Sequence, residues 1–210
     1  MPKSIEIEFP CLLPQLILGQ GRRLYDVQSL SRVDLRQRQR EEGKLLLHKL
    51  KIDFISESVG NAEIVSSLTH SGDLVFAAVT LKNYFTNLGL DTEKIIDTLR
   101  ADRLAQRILT PIELEQASQN NMPWNLFVTL IFCIKEAAYK ALPPSEQRGL
   151  GFQNFLVVLA EQDSFYRVQI ETQAFKTVKN TAKHLQNTEM SGRYALLDNQ
   201  VLAGVWKEFV

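Results

Sequence analysis

The stretch Phe132-Cys133-Ile134-Lys135-Glu136-Ala137-Ala138-Tyr139-Lys140-Ala141-Leu142 ends a strongly helical run that begins near Trp124. Leu126, Phe127, Leu130, Ile131, Ile134, Ala138 and Ala141 recur at three- and four-residue spacing, which predicts one buried stripe. At roughly 100° per residue, Glu136 lies about 200° round the helix from Ile134, away from the stripe and beside Cys133 and Lys140. Pro143 and Pro144 stop the helix, because the first biases Leu142 out of the α region and neither offers an N–H. The expectation is a buried helix with an acid and a base on its polar edge. Taken alone, the Glu136–Lys140 spacing is also that of an ordinary surface pair, worth about 0.3 kcal/mol.

Upstream, Leu88-Gly89-Leu90-Asp91-Thr92-Glu93 reads in two ways. If it is extended, Asp91 and Glu93 share a face and repel unless a cation lies between them. Magnesium suits such a pair, since it takes hard oxygen ligands and shares them with water and phosphates. Otherwise Asp91 or Glu93 caps a helix over Lys94 to Leu104. Ser66-Ser67-Leu68-Thr69-His70-Ser71-Gly72 reads as a polar turn leading into a buried strand, Leu74 to Val79; His70 there either meets an anion or closes the turn. Ser31 to Leu50 reads as a helix, with Ser31 as N-cap and Asp34 three residues on. Gly43 weakens it by about 1 kcal/mol against alanine. Its arginines, Arg32, Arg36, Arg38 and Arg40, form either a solvated face or a basic edge for a phosphate-rich ligand.

Ile5 to Phe9 alternates like a half-buried strand. Thr110-Pro111-Ile112-Glu113 is a helix start with a capping-box glutamate, read as structural. Strands are expected at 156–159, 165–170, 194–197 and 201–206, with Asp198-Asn199-Gln200 turning between the last two. Lys176 to Gln186 is a loop or an exposed helix. The order of elements suggests an α+β architecture of two similar halves.

Across 210 residues, 45% are apolar, 23% are charged and the formal net charge is zero, so no bulk field favours nucleic acid or an anionic membrane. Cys11 and Cys133 form neither a zinc pattern nor a disulfide framework. With no signal-peptide pattern and no uncharged run long enough to span a bilayer, the expectation is a cytoplasmic protein.

Gly89-Leu90-Asp91-Thr92-Glu93 followed by Phe132 to Ala141 resembles the paired motifs of the 4′-phosphopantetheinyl transferases, Gly-x-Asp-x-Glu and Phe/Trp-Ser/Cys-x-Lys-Glu-x-x-x-Lys-Ala. Ser67-Leu68-Thr69-His70-Ser71 is similar to the Ser/Thr-His-Ser box of the larger, monomeric enterobactin-synthetase and surfactin types. The resemblance runs from about Arg36 to Ala141. It implies two pseudo-symmetric α/β halves, each a small sheet on a long helix, divided near Leu99 into residues 1–99 and 100–210. Coenzyme A would bind in the cleft between them. The implied reaction moves the phosphopantetheine arm of coenzyme A onto a serine of an acyl or peptidyl carrier protein and releases 3′,5′-ADP. Asp91, Glu93 and Glu136 would hold Mg²⁺. Lys140 would pair with a phosphate oxygen, Lys135 would steady the leaving group, and Glu136 or a metal-bound water would take the serine proton. Arg40, Lys44, Thr69 and His70 would contact the 3′-phosphate. The chain departs from the pattern at Cys133 (usually serine), Lys44 (usually arginine) and Thr92 (usually apolar), and it has no acid between Trp124 and Ile134. A catalytically inactive coenzyme A- or carrier-binding homologue is the alternative.

Overall fold

The computed structural model describes residues 4–7, 9, 12–57, 63–160, 164–170 and 188–209. The expectation for Lys176 to Gln186 falls outside them. The first four strands are β1 (Ser4–Ile7), β2 (Leu18–Leu24), β3 (Ile64–Ser71) and β4 (Leu74–Leu81), with α1 (Arg32–Glu57) between β2 and β3. They form an antiparallel sheet in the order β1-β2-β4-β3. Then come β5 (Phe85–Lys94), α2 (Thr98–Ile108), α3 (Pro111–Gln119) and α4 (Trp124–Ala141). Finally β6 (Phe155–Leu159), β7 (Phe165–Ile170), β8 (Thr188–Leu197) and β9 (Gln200–Glu208) complete a second antiparallel sheet in the order β5-β9-β8-β7-β6.

One plan is used twice. A strand leads into a long helix, an antiparallel meander follows, and its last strand pairs with the first: β2 beside β4 in one half, β5 beside β9 in the other. The chain therefore passes from sheet to sheet between Leu81 and Phe85. This corrects the division near Leu99, because β5 makes its backbone bonds to β9 and belongs with the second half.

Alternation along β4 and β9 explains why both are buried almost throughout. Val75, Ala77 and Val79 pack with Leu46 and Leu50 of α1. Leu74, Phe76 and Ala78 point the other way, into a core shared with Leu88, Leu90, Leu202 and Trp206 of the second sheet. Val201, Ala203 and Val205 then face Phe127, Ile131, Ile134 and Ala138 of α4. The order of layers is α1, sheet, sheet, α4, so strands with period-2 side chains are covered on both faces.

Local chemistry sets the boundaries. Ser31 Oγ accepts the Asp34 N–H at 3.2 Å, as expected of an N-cap. Helix α1 continues unbroken past Gly43, where a Cβ would come within 2.9 Å of Leu68; the glycine is what lets α1 lie close on β3. Thr110 and Glu113 make the capping box that starts α3. Asp97, not Asp91 or Glu93, caps α2. The predicted polar turn at 66–72 is strand β3, with only Gly72 and Asp73 turning, because Ser67 and Thr69 find partners for their hydroxyls on β5.

Candidate active site

Gly89, Asp91 and Glu93 share the face of β5 that meets α4, as an extended reading requires. A Cβ on Gly89 would lie 1.9 Å from the Ala137 carbonyl oxygen, so glycine allows strand and helix backbones to touch. Two further ties fix the register. Asn87 donates to the Ala141 carbonyl at 2.8 Å, and Cys133 Sγ donates to the Asp91 carbonyl at 3.2 Å. Cys133 thus fills the usual serine position as a buried small donor.

On this frame Asp91 is 4% exposed, and its Oδ1 meets Lys140 Nζ at 2.5 Å. Thr69 Oγ1 donates to the same oxygen at 3.2 Å and accepts the Thr92 N–H at 3.1 Å. Asp91 Oδ2 is buried and receives no hydrogen bond. Such an orphaned carboxylate oxygen needs a partner, and a cation suits it. Burial lifts Asp91 above the usual carboxylate range, with Lys140 working against it. Burial, then the charges of Asp91 and Glu136, push Glu93 up to about 7. Glu136 is raised by burial and by Asp91. Three carboxylates therefore feel one another around Lys140, with Arg100 also acting on Glu93. Among the described residues, no three such side chains form a ready-made metal cage.

His70 is half-buried on β3, and burial followed by the charges of Lys140 and Arg40 lowers its pKa. Arg40, His70 and Lys140 thus converge from α1, β3 and α4, with Lys44 exposed one turn further along α1. Alternation parts Thr69 from His70. The Thr69 hydroxyl donates to Asp91 and accepts the Thr92 N–H, so it orients the carboxylate.

Lys135 needs a larger correction. The helix is buried on nearly every side, and Lys135 is fully buried on the flank away from Asp91. Its Nζ donates to the carbonyls of Ile108 (2.7 Å) and Phe152 (3.0 Å) and to Glu113 Oε2 (2.7 Å). All three donors are spent, so none is left for a leaving group. Burial pulls the ammonium below the ordinary lysine range, and Glu113 works against that shift. Glu113, read as a capping residue, is also this buried counter-ion; its full burial was not visible in the spacing that revealed the cap.

Two concavities lie close to this site, one reaching Lys140 and the other Glu136. An open cleft of about 560 Å³ lies between the halves, lined by Ile64, Ser66, Asn87, Leu88, Lys140 and Leu142. A pocket of about 210 Å³ beside Glu136 is walled by Tyr139, Leu150, Phe152 and Phe155. Residues so scattered in the chain leave no local signal.

Residues 87–197 match the family model of the 4′-phosphopantetheinyl transferase superfamily. Enterobactin synthase component D of Escherichia coli K12 is 31% identical over 105 residues, 50% of this chain and 48% of that protein. The 4′-phosphopantetheinyl transferase Npt of Nocardia iowensis is 32% identical over 100 residues, 48% of this chain and 44% of that protein. The chain spans about half the length of these relatives. A holo-ACP-synthase structure from Plasmodium yoelii superposes with a TM-score of 0.45 at 15% identity, covering 60% of this chain and 97% of that one. With more than half its residues inside the family model, this chain belongs to the 4′-phosphopantetheinyl transferase superfamily.

Proposed function

We propose that this protein transfers the 4′-phosphopantetheine arm of coenzyme A to a serine hydroxyl of an acyl or peptidyl carrier protein. The serine oxygen bonds to the β-phosphorus, the pyrophosphate bridge breaks, the hydroxyl proton leaves to a base, and 3′,5′-ADP departs. The observation that carries the reading is the buried, unpartnered Asp91 Oδ2, placed among Glu93, Glu136 and Lys140 within the segment that matches the family model.

Asp91, Glu93 and Glu136 would hold Mg²⁺, completed by water and phosphate oxygens; the unpartnered Asp91 Oδ2 and the mutual repulsion of the carboxylates support this. When bound, the ion neutralises charge on the transferring phosphates. Lys140 presents an ammonium next to Asp91 and pairs with a phosphate oxygen. Arg40, His70 and Lys44 form a basic lip for the 3′-phosphate. Glu136, or a water held by the ion, would take the serine proton. A monomer is the state this reading expects. Among the described residues no helix is long and apolar enough to cross a membrane. A cytoplasmic enzyme follows from this reading.

Intact mass of an apo carrier after incubation with the protein, coenzyme A and Mg²⁺ is the test. The expected gain is one phosphopantetheine arm, abolished by a chelator and by Asp91→Ala or Glu136→Ala. Coenzyme A binding with no gain on any carrier class would leave the inactive homologue; no coenzyme A binding would refute the proposal.

A further inference from the structure

Glu113 and Lys135 form a fully buried ion pair that touches no part of the open cleft. Its bonds are complete. Glu113 Oε2 accepts the Thr110 N–H (2.7 Å) and Lys135, while Oε1 accepts the Val157 N–H (2.8 Å). Lys135 adds the carbonyls of Ile108 and Phe152. Five segments therefore meet at one charge pair: the end of α2, the start of α3, the middle of α4, the turn before β6, and β6 itself. A buried pair is a poor device for stability alone, since an apolar pair of similar size often serves as well. Its distinctive property is direction, because each bond dictates where its partner must sit.

Direction matters at this point of the helix. Glu136 follows Lys135, so the roll of α4 that puts Lys135 in its socket also decides where Glu136 faces. On the opposite flank α4 is held by Cys133, Lys140 and the Ala137–Gly89 contact. Phe152, whose carbonyl Lys135 holds, is also a wall of the pocket beside Glu136.

We infer that Glu113 and Lys135 are positioning residues, a buried clamp that fixes the roll of α4 and the Phe152 wall and so aims Glu136 at Asp91. The inference rests on the proposed transferase reading for its catalytic consequence, but its structural content stands apart. The test is the double variant Glu113→Gln/Lys135→Met. The introduced glutamine keeps an acceptor for only one of the Thr110 and Val157 N–H groups, its amide nitrogen facing the other, and the introduced methionine keeps the apolar stem of the lysine it replaces. Two readouts are taken: kcat and KM on a carrier, and the NMR shifts of Gly89, which sits beneath the Ala137 carbonyl and reports how α4 seats on β5. The expected result is a cooperative fold, displaced Gly89 resonances, a kcat lowered about 100-fold and a nearly unchanged KM for coenzyme A. A stable double variant with wild-type Gly89 shifts and wild-type kcat would overturn it. If wild type itself modifies no carrier, the transferase reading fails while the Gly89 shifts still decide the clamp. Should the double variant not fold, Glu113→Gln alone is judged by the same two readouts, with unchanged shifts and kcat counting against the clamp.

Discussion

Replacing Gly89 by alanine tests the backbone contact on which the site is built. The added Cβ would stand 1.9 Å from the Ala137 oxygen and 2.9 Å from both the Ala137 carbonyl carbon and the Ala141 nitrogen. These are helix backbone atoms, so no rotamer change relieves the clash. Moving from 1.9 Å to ordinary contact near 3.4 Å means that α4 recedes from β5 by about 1.5 Å. Overpacking of this kind costs about 3 kcal/mol, which in a chain this long lowers Tm by about 6–12 °C. The same recession separates Lys140 and Glu136 from Asp91, and a displacement of about 1 Å at a reacting centre costs about 100-fold in rate. Gly151→Ala is the control, since its new Cβ meets nothing nearer than 4.0 Å. Thermal unfolding followed by circular dichroism gives the first number and a carrier-modification assay gives the second. A Gly89→Ala protein with wild-type Tm would refute the packing argument. One destabilised as expected but fully active would refute the link from strand–helix distance to catalysis.

Three other outcomes follow from the same geometry. Thr69→Val leaves the Thr92 N–H unpaired and leaves Lys140 to hold Asp91 Oδ1 without the Thr69 hydroxyl, and should cost about 1–3 kcal/mol in denaturant unfolding, whereas Thr69→Ser should recover most of it. The His70 ring should titrate below 6.5 by NMR, and Lys140→Met should raise its midpoint by removing a neighbouring positive charge. In linkage terms the unfolded chain binds the extra proton between the two pKa values, so this group's contribution falls as pH drops from 6.5 towards the folded midpoint, then levels off. A midpoint unmoved by Lys140→Met would contradict the placement of these two side chains. Cys133, fully buried with its thiol pushed well above the ordinary range, should resist a thiol reagent in native protein of a Cys11→Ala background and react only on unfolding.

Period and punctuation carried the helices and most strands. The three- and four-residue spacing from Leu126 to Ala141 and the Pro143-Pro144 stop locate α4 and its end next to the prolines. Alternation at 89–93 puts both acids of β5 on the helix side. What spacing could not supply was the state of each polar group. Lys135 and Lys140 look alike in sequence, yet one is sealed behind Glu113 and the other is partly open beside Asp91. Thr69 and His70 are neighbours, and strand alternation sends one to the carboxylate and the other towards Arg40. The small, polar residues of 66–72 read as a turn; the Ser67 and Thr69 hydroxyls instead accept N–H groups of β5 more than twenty residues away. The division of the chain was misplaced for a similar reason, since strand β5 finds its partner in β9 at the far end of the sequence.

The outward edge of β5 is closed by the Ser67 and Thr69 hydroxyls rather than by another strand. A fragment beginning at Phe85 would keep its whole sheet, α4, and the side chains of Asp91, Glu93, Glu136 and Lys140. It would lose the two hydroxyls, the basic groups of α1, and the cover over Leu88, Leu90, Leu202 and Trp206. A bare strand edge beside an apolar sheet face favours association. Such a fragment would therefore be a subunit in search of neighbours, and the first half of the chain acts as a covalently attached substitute for one.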